Sequence, residues 1–174
     1  MNRVAQFEKV SWNQFQKDYV DTFGEGKTID MNDVKEIYDN IKLPCRKTKY
    51  SAGHDISIPF DITLASKEKL MIPTGIRCKM NSNHLMIITP RSSLGIKKGL
   101  RIANTIPVID SDYYDADNEG HIFISIINDG RDVIKFKSGD NIVQALFVPY
   151  GVADNEYVAT KRVGGIGSTT IVEH

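Results

Sequence analysis

Hydrophobic positions change their spacing along this chain, and the change divides it. Near the start, Trp12, Phe15, Tyr19 and Phe23 recur at helical intervals until Gly24 and Gly26 end the pattern. Ser11 stands at the entrance as an N-cap, three residues ahead of Gln14, so the spacing predicts an amphipathic helix over 12–22. A second helix is predicted after Asp30 or Asn32, carrying Val34, Ile37, Tyr38 and Ile41 inward and ending before Pro44. Two short helices do not bury such a stripe alone, so this segment should dock on the rest of the chain or on a neighbouring subunit.

From about residue 53 the signal becomes short runs of Ile, Val, Leu, Phe and Thr, broken every eight to twelve residues by Pro, Gly, Asn or Asp. Strands are predicted at 55–58, 69–72, 76–80, 85–88, 121–127, 133–136 and 142–148, with no helix-length amphipathic pattern between them. That is the sequence of an all-β barrel or sandwich, since a βαβ fold needs crossover helices. The stretch from Lys161 to Thr170 holds Gly164, Gly165 and Gly167 and reads as a mobile arm. The resulting division is a helical extension over 1–44, a β domain over 45–157 and a Gly-rich arm over 158–174.

At 174 residues the chain has room for one ordinary core. Its 22 basic and 22 acidic side chains cancel, leaving no global field to hold nucleic acid or an anionic membrane, so an anion must be held by a local site. The longest apolar runs, such as Ala145 to Val148, are far shorter than a membrane helix of ~20 residues. Cys45 and Cys78 form no metal-spaced pair or disulfide framework, which suits a reducing cytoplasm, and both thiols read as structural rather than reactive. The four histidines lack ligand spacing, and His54 reads as a stand-in for an aromatic residue.

Three segments offer chemistry. Pro90-Arg91-Ser92-Ser93-Leu94-Gly95 ends an apolar run with a guanidinium, two hydroxyls and a glycine, which suits a phosphate or, equally, an ordinary polar turn. Asp110-Ser111-Asp112 follows three apolar residues; alone it reads as a turn, but beside a phosphate pocket Asp110 would serve as a base that activates water. The Gly-rich tail is either a loose end or an arm that closes over a polyphosphate.

Taken in order, Ala52 to Ile56, Pro90 to Gly95, Asn104 to Tyr113, Gly139 to Gln144 and Gly164 to Thr169 resemble the five motifs of the trimeric dUTPases, over roughly residues 45–170. The resemblance implies a mainly β protomer, a jelly-roll-like β-barrel, in a homotrimer that hydrolyses dUTP to dUMP and pyrophosphate with Mg²⁺. It implies that Asp55 helps hold the hydrated ion through water, and that Arg91 and Ser92, with Ser93 beside them, and Gln144 grip the triphosphate. It further implies that Asp110 activates water, that Asn104 helps read uracil, and that Tyr113 packs under the deoxyribose. The arm, through Lys161 or Arg162, Ile166, Gly167 and Ser168, is implied to close the site from a neighbouring chain.

Some positions depart from the family pattern. Ile166 stands where many members have a stacking Phe, Pro107 where the third motif commonly has Gly, and Asn141 where Arg is frequent. Residues 114–118 form a short acidic insertion, and the N-terminal helices have no counterpart in the minimal family. Two alternatives are a dUTP-binding sensor acting on a regulatory protein partner, and a dCTP deaminase. The deaminases place a catalytic Glu on the strand after the third motif, and here that strand reads His121-Ile122-Phe123-Ile124-Ser125-Ile126.

Overall fold

The computed structural model describes residues 2–155, 157, 158, 162 and 164. The chain opens with strand β1 (Ala5–Lys9) and helices α1 (Trp12–Phe23) and α2 (Met31–Asp39). Strands β2 (His54–Ser57), β3 (Ile62–Leu64), β4 (Lys69–Pro73), β5 (Ile76–Met80) and β6 (His84–Pro90) follow. Next come a short helix α3 (Ser92–Lys98), strands β7 (Leu100–Ile102) and β8 (Val108–Ile109) and a 3₁₀ helix (Ser111–Asp115). Strands β9 (Phe123–Asn128), β10 (Ile134–Phe136) and β11 (Asn141–Pro149) complete the described elements.

Every strand pairing is antiparallel, in four short sheets ordered β2-β11-β6-β8, β4-β9-β7, β1-β5 and β3-β10. They surround one core in the manner of a jelly roll, without a closed ladder of hydrogen bonds among the described residues. The alternation along β9 shows why: Ile124, Ile126 and Asn128 point inward and are buried, and Phe123, Ser125 and Ile127 alternate with them on the other face. The inward Asn128 is satisfied, its amide donating to the carbonyls of Leu64 and Asp132 and accepting from Gly130 N–H.

The N-terminal segment docks on its own chain. Val10, Phe15, Val34 and Ile41 belong to the same buried cluster as the strands, and β1 pairs with β5 from Ala5 opposite Met80 to Lys9 opposite Ile76. Ser11 caps α1 as expected, accepting from Gln14 N–H at 3.1 Å. The reciprocal half of the capping box comes from elsewhere: Glu119, not Gln14, receives Ser11 N–H and Oγ–H, both at 2.7 Å. His54 lies between Phe7 and Phe147 with ring centroids 5.6 and 5.4 Å away, and burial pushes its imidazole below its usual range.

Two expectations need correction. A helix does interrupt the strands, because α3 begins directly after Arg91; with no residue of it buried, it carries no apolar stripe to announce itself. Cys45, read with Cys78 as structural, is exposed, whereas Cys78 is buried and its thiol is pushed up to about 12, chiefly by desolvation.

Candidate active site

Strand β11 organises the first half of the site. It pairs with β2 on one side and β6 on the other, which sets Gln144 opposite both Asp55 and Thr89. The register slips between Asn141 and Val143, and at that bulge the carbonyl of Ile142 accepts Arg91 N–H at 3.1 Å, bringing the end of β6 to the pocket. Arg91 is the N-cap of α3, so Ser92 and Ser93 open the first turn beside it. Together Asp55, Arg91, Ser92, Ser93 and Gln144 line one open pocket of about 280 Å³, along with Lys47, Ser51 and Gly53. Of these three, Gly53 falls within the first motif, Ala52 to Ile56, whereas Lys47 and Ser51 lie in a loop with no pattern in the sequence to mark them.

The electrostatics of this pocket are those of an anion site with one acidic member. Arg91 Nε is 3.6 Å from Asp55 Oδ1, and its Nη1 reaches the Asn141 carbonyl at 3.4 Å, leaving the guanidinium partly exposed toward the pocket. Asp55 is buried, and its Oδ2 accepts no hydrogen bond from the described protein. A buried carboxylate oxygen with spare acceptor capacity suits a strong donor such as a metal-bound water. Gly53 is needed for close approach: a Cβ there would lie 2.1 Å from Gln144 Oε1.

The second half is the turn after β8. Asp110 is the N-cap of the 3₁₀ helix, and Tyr113 N–H donates back to its carbonyl at 3.2 Å. The turn reading of Asp-Ser-Asp therefore holds, yet both carboxylates meet one cation: Arg162 Nη2 donates to Asp110 Oδ2 at 2.6 Å and its Nε to Asp112 Oδ1 at 3.0 Å. Tyr113 is buried; its hydroxyl donates to the His121 carbonyl at 2.8 Å and accepts from Asn118 Nδ2 at 2.9 Å. Burial raises the Tyr113 phenol above its usual range, against the opposing pull of Asn118 and Arg162. The Arg162 guanidinium stands 5.6 Å from the Tyr113 ring centroid.

Asn104 is exposed in the loop before β8, its carbonyl accepting Ile106 N–H at 2.8 Å. Left-handed backbone in that loop falls on Thr105 and not on Pro107, which is buried and offers its carbonyl to Ile88 N–H at 3.1 Å. Lys161, Ile166, Gly167 and Ser168 lie outside the described residues.

Comparison with known proteins identifies the family. A family model described as dUTPase matches residues 39–170. The chain belongs to the dUTPase family. Among its relatives, the deoxyuridine 5'-triphosphate nucleotidohydrolase of Lactococcus lactis is 39% identical over 132 residues, covering 74% of this chain and 88% of that protein. The enzyme of the same name from Sodalis glossinidius is 32% identical over 150 residues, covering 81% and 96%. The crystal structure of dUTPase from Streptococcus mutans superposes with a TM-score of 0.63 at 28% identity, over 85% of this chain and 98% of that one. A mutant dUTPase from phage phi11 of S. aureus, described for its coordination of a structural Mg(II) ion, shares the fold with a TM-score of 0.63 at 18% identity, over 91% and 98%.

Proposed function

We propose that this dUTPase-family chain hydrolyses dUTP to dUMP and pyrophosphate, limiting uracil in DNA, by attack of an Asp110-activated water on the α-phosphorus. The observation that carries the reading is the pocket in which Asp55, Arg91, Ser92, Ser93 and Gln144 converge from two strands and a helix start. Arg91 supplies a fork-shaped cation, the two serines supply hydroxyl donors, and the Gln144 amide adds another, which together match the oxygens of a triphosphate. Negative charge that builds on those oxygens during attack is offset by Arg91. Asp110 removes the proton, and for this Arg162 must release its carboxylate. Tyr113 gives a fixed surface for the deoxyribose and Asn104 contacts the uracil. Mg²⁺, when bound, neutralises triphosphate charge and polarises the reacting phosphate; Asp55 Oδ2 would hold it through water.

The distances support an active site shared between chains. Met86 pairs with Ile109, so Asp110 lies beside the start of β6, whereas Arg91 follows its end. Six residues from Leu85 to Arg91 at about 3.3 Å each put ~20 Å between the two positions, too far for one chain to hold a triphosphate and deprotonate the water attacking it. The outward face of the same sheet presents Leu85, Ile87, Val108, Leu146 and Val148, with Val108 54% exposed. An apolar sheet face joining the two half-sites favours a second copy as its cover, and we assign the chain to a homotrimer with shared sites. The assignment gives residues 45–157 the catalytic role and residues 158–174, including Lys161 or Arg162, Ile166, Gly167 and Ser168, the role of an arm closing from a neighbour. The two free thiols suit a cytoplasmic setting.

The test is a release assay with dUTP, dTTP, dCTP and UTP, each with Mg²⁺, resolving pyrophosphate from phosphate. Pyrophosphate and dUMP from dUTP alone support the proposal. Clear dUTP binding without hydrolysis overturns it in favour of a nucleotide sensor.

A further inference from the structure

Outside the two half-sites the described residues hold a buried imidazole paired with a carboxylate. His121 has no exposed surface, and its Nδ1 lies 2.5 Å from Oδ2 of Asp18, which is itself buried on α1. The tautomer follows from the neighbours: Gly75 N–H, which can only donate, points at His121 Nε2 from 2.7 Å. Nε2 is therefore the acceptor and Nδ1 carries the proton it gives to Asp18. Asp18 Oδ2 also accepts from Gln14 Nε2 at 2.8 Å, so the carboxylate is anchored within its own helix.

The other end of His121 reaches the nucleoside turn. Its carbonyl accepts the Tyr113 hydroxyl at 2.8 Å, and its N–H donates to the Asn118 carbonyl at 3.0 Å, while Asn118 Nδ2 donates to the same Tyr113 oxygen. Tyr113 in turn closes the 3₁₀ turn on the Asp110 carbonyl. A continuous chain of hydrogen bonds thus runs from Asp18 through His121 and Tyr113 to the residue before Ser111. Phe15 and Phe123 wall the imidazole, with centroids at 6.1 and 4.6 Å, and the ring has no exposed surface, so a lost partner leaves it in low-dielectric surroundings.

We infer that Asp18 and His121 are positioning residues, through which the N-terminal helix fixes the Tyr113 turn and thereby sets the discrimination between deoxyribose and ribose. The inference rests on the proposed role of Tyr113 under the sugar. Removing the Asp18 carboxylate leaves the His121 Nδ1–H buried and unpaired, and the backbone that holds Tyr113 shifts to relieve it. Tyr113 then no longer closes the space where a 2′-hydroxyl would sit.

The experiment measures kcat/KM for dUTP and for UTP in the wild type, Asp18→Ala, Asp18→Asn, Tyr113→Phe and the Asp18→Ala/Tyr113→Phe double variant. The expected result is that the dUTP-to-UTP ratio falls at least tenfold in Asp18→Ala and is largely restored in Asp18→Asn, which keeps an acceptor of the same shape. In the Tyr113→Phe background, which has already lost the link to His121, Asp18→Ala should change the ratio little further. A role limited to stability lowers the folded fraction and leaves the ratio untouched, because both substrates see the same folded molecules. An unchanged ratio in Asp18→Ala overturns the inference; should that variant not fold, Asp18→Leu, near-isosteric and helix-favouring, gives the deciding ratio. A wild type that hydrolyses dUTP and UTP equally would overturn the reading of Tyr113 itself, and is thereby distinguished from failure of the Asp18 link.

Discussion

Gly53→Ala tests the pocket through a residue that makes no chemical contact of its own. Its backbone φ lies outside the left-handed region, so an alanine meets no conformational strain, and the whole effect is spatial. The new methyl would fall 2.1 Å from Gln144 Oε1 and 3.0 Å from its Cδ, with Cβ further off at 3.3 Å. The two nearest atoms are the far end of a flexible side chain, so the amide swings aside and the strands stay in place. The fold should lose under about 1 kcal/mol, as befits a displaced side chain at a pocket rim. The triphosphate loses one hydrogen bond to a charged oxygen, worth about 1.5–3 kcal/mol, which is roughly a 10- to 150-fold drop in kcat/KM for dUTP. Pyrophosphate release and thermal unfolding are measured together. The decisive variant is Gly53→Ala combined with Gln144→Ala: since the first acts through the second, the pair should be no worse than Gln144→Ala alone. Additive losses, or a large fall in melting temperature, would refute the argument.

Other outcomes follow from particular groups. Asp110→Asn should retain affinity for a non-hydrolysable dUTP analogue by calorimetry while kcat drops by about 10²–10⁴, the usual contribution of a general base; affinity lost along with turnover would make Asp110 structural. Iodoacetamide at pH 8 should label exposed Cys45 and spare Cys78, whose thiol, pushed up to about 12, is ionised in only about one molecule in 10⁴; peptide mass spectrometry showing equal labelling would contradict the burial. Burial pushes Glu119 upward, but the two bonds from Ser11 and the charge of Arg77 outweigh it and hold its carboxyl below the ordinary 4.5. Its stabilising contribution is thus present above pH 4.5 and lost as pH falls through the lower folded value, so the melting-temperature gap between wild type and Glu119→Gln should close on acidification. A gap that stays constant from pH 7 to pH 3 would show that charge at Glu119 does not matter.

What the sequence made legible was whatever repeats locally. The α1 stripe, the Ser11 cap and seven of the strands carry their signal within a few residues. The elements that were missed lack such a signal. Strand β1 reads Ala-Gln-Phe-Glu-Lys, with one large apolar residue; β3 and β7 have three residues and β8 two; and α3 buries nothing. The same distinction runs through the site. Asp55, Arg91, Asp110 and Gln144 stand in linear motifs, but that Gln144 sits opposite Asp55 is set by strand register, and that Gly53 leaves room for its amide is a matter of space. Histidine spacing gave no reason to notice His121, because its partner lies on another element. One local clue was present: Asp18 follows Phe15 by three residues, which places an acid beside that aromatic at the edge of the α1 stripe.

That acid bears on what the N-terminal segment is for. The family match begins at residue 39, so β1, α1 and most of α2 lie outside it, as would suit an appendage. The packing argues for a part of the fold instead. Gly75 turns between β4 and β5 in the left-handed region, and a Cβ there would lie 2.2 Å from Ile41 Cδ1 and 3.2 Å from Phe15 Cδ2. The same glycine's N–H fixes the His121 tautomer, and the insertion after Tyr113 returns Glu119 to cap α1 and Tyr114, under the Arg77 guanidinium, to Glu8 on β1. The extension and the segment from Tyr114 to His121 therefore satisfy one another's polar groups, Ser11 with Glu119, Glu8 with Tyr114 and Asp18 with His121. Segments that look independent in the sequence are thus packed as one unit, and it ends at the turn that carries Tyr113 and Asp110.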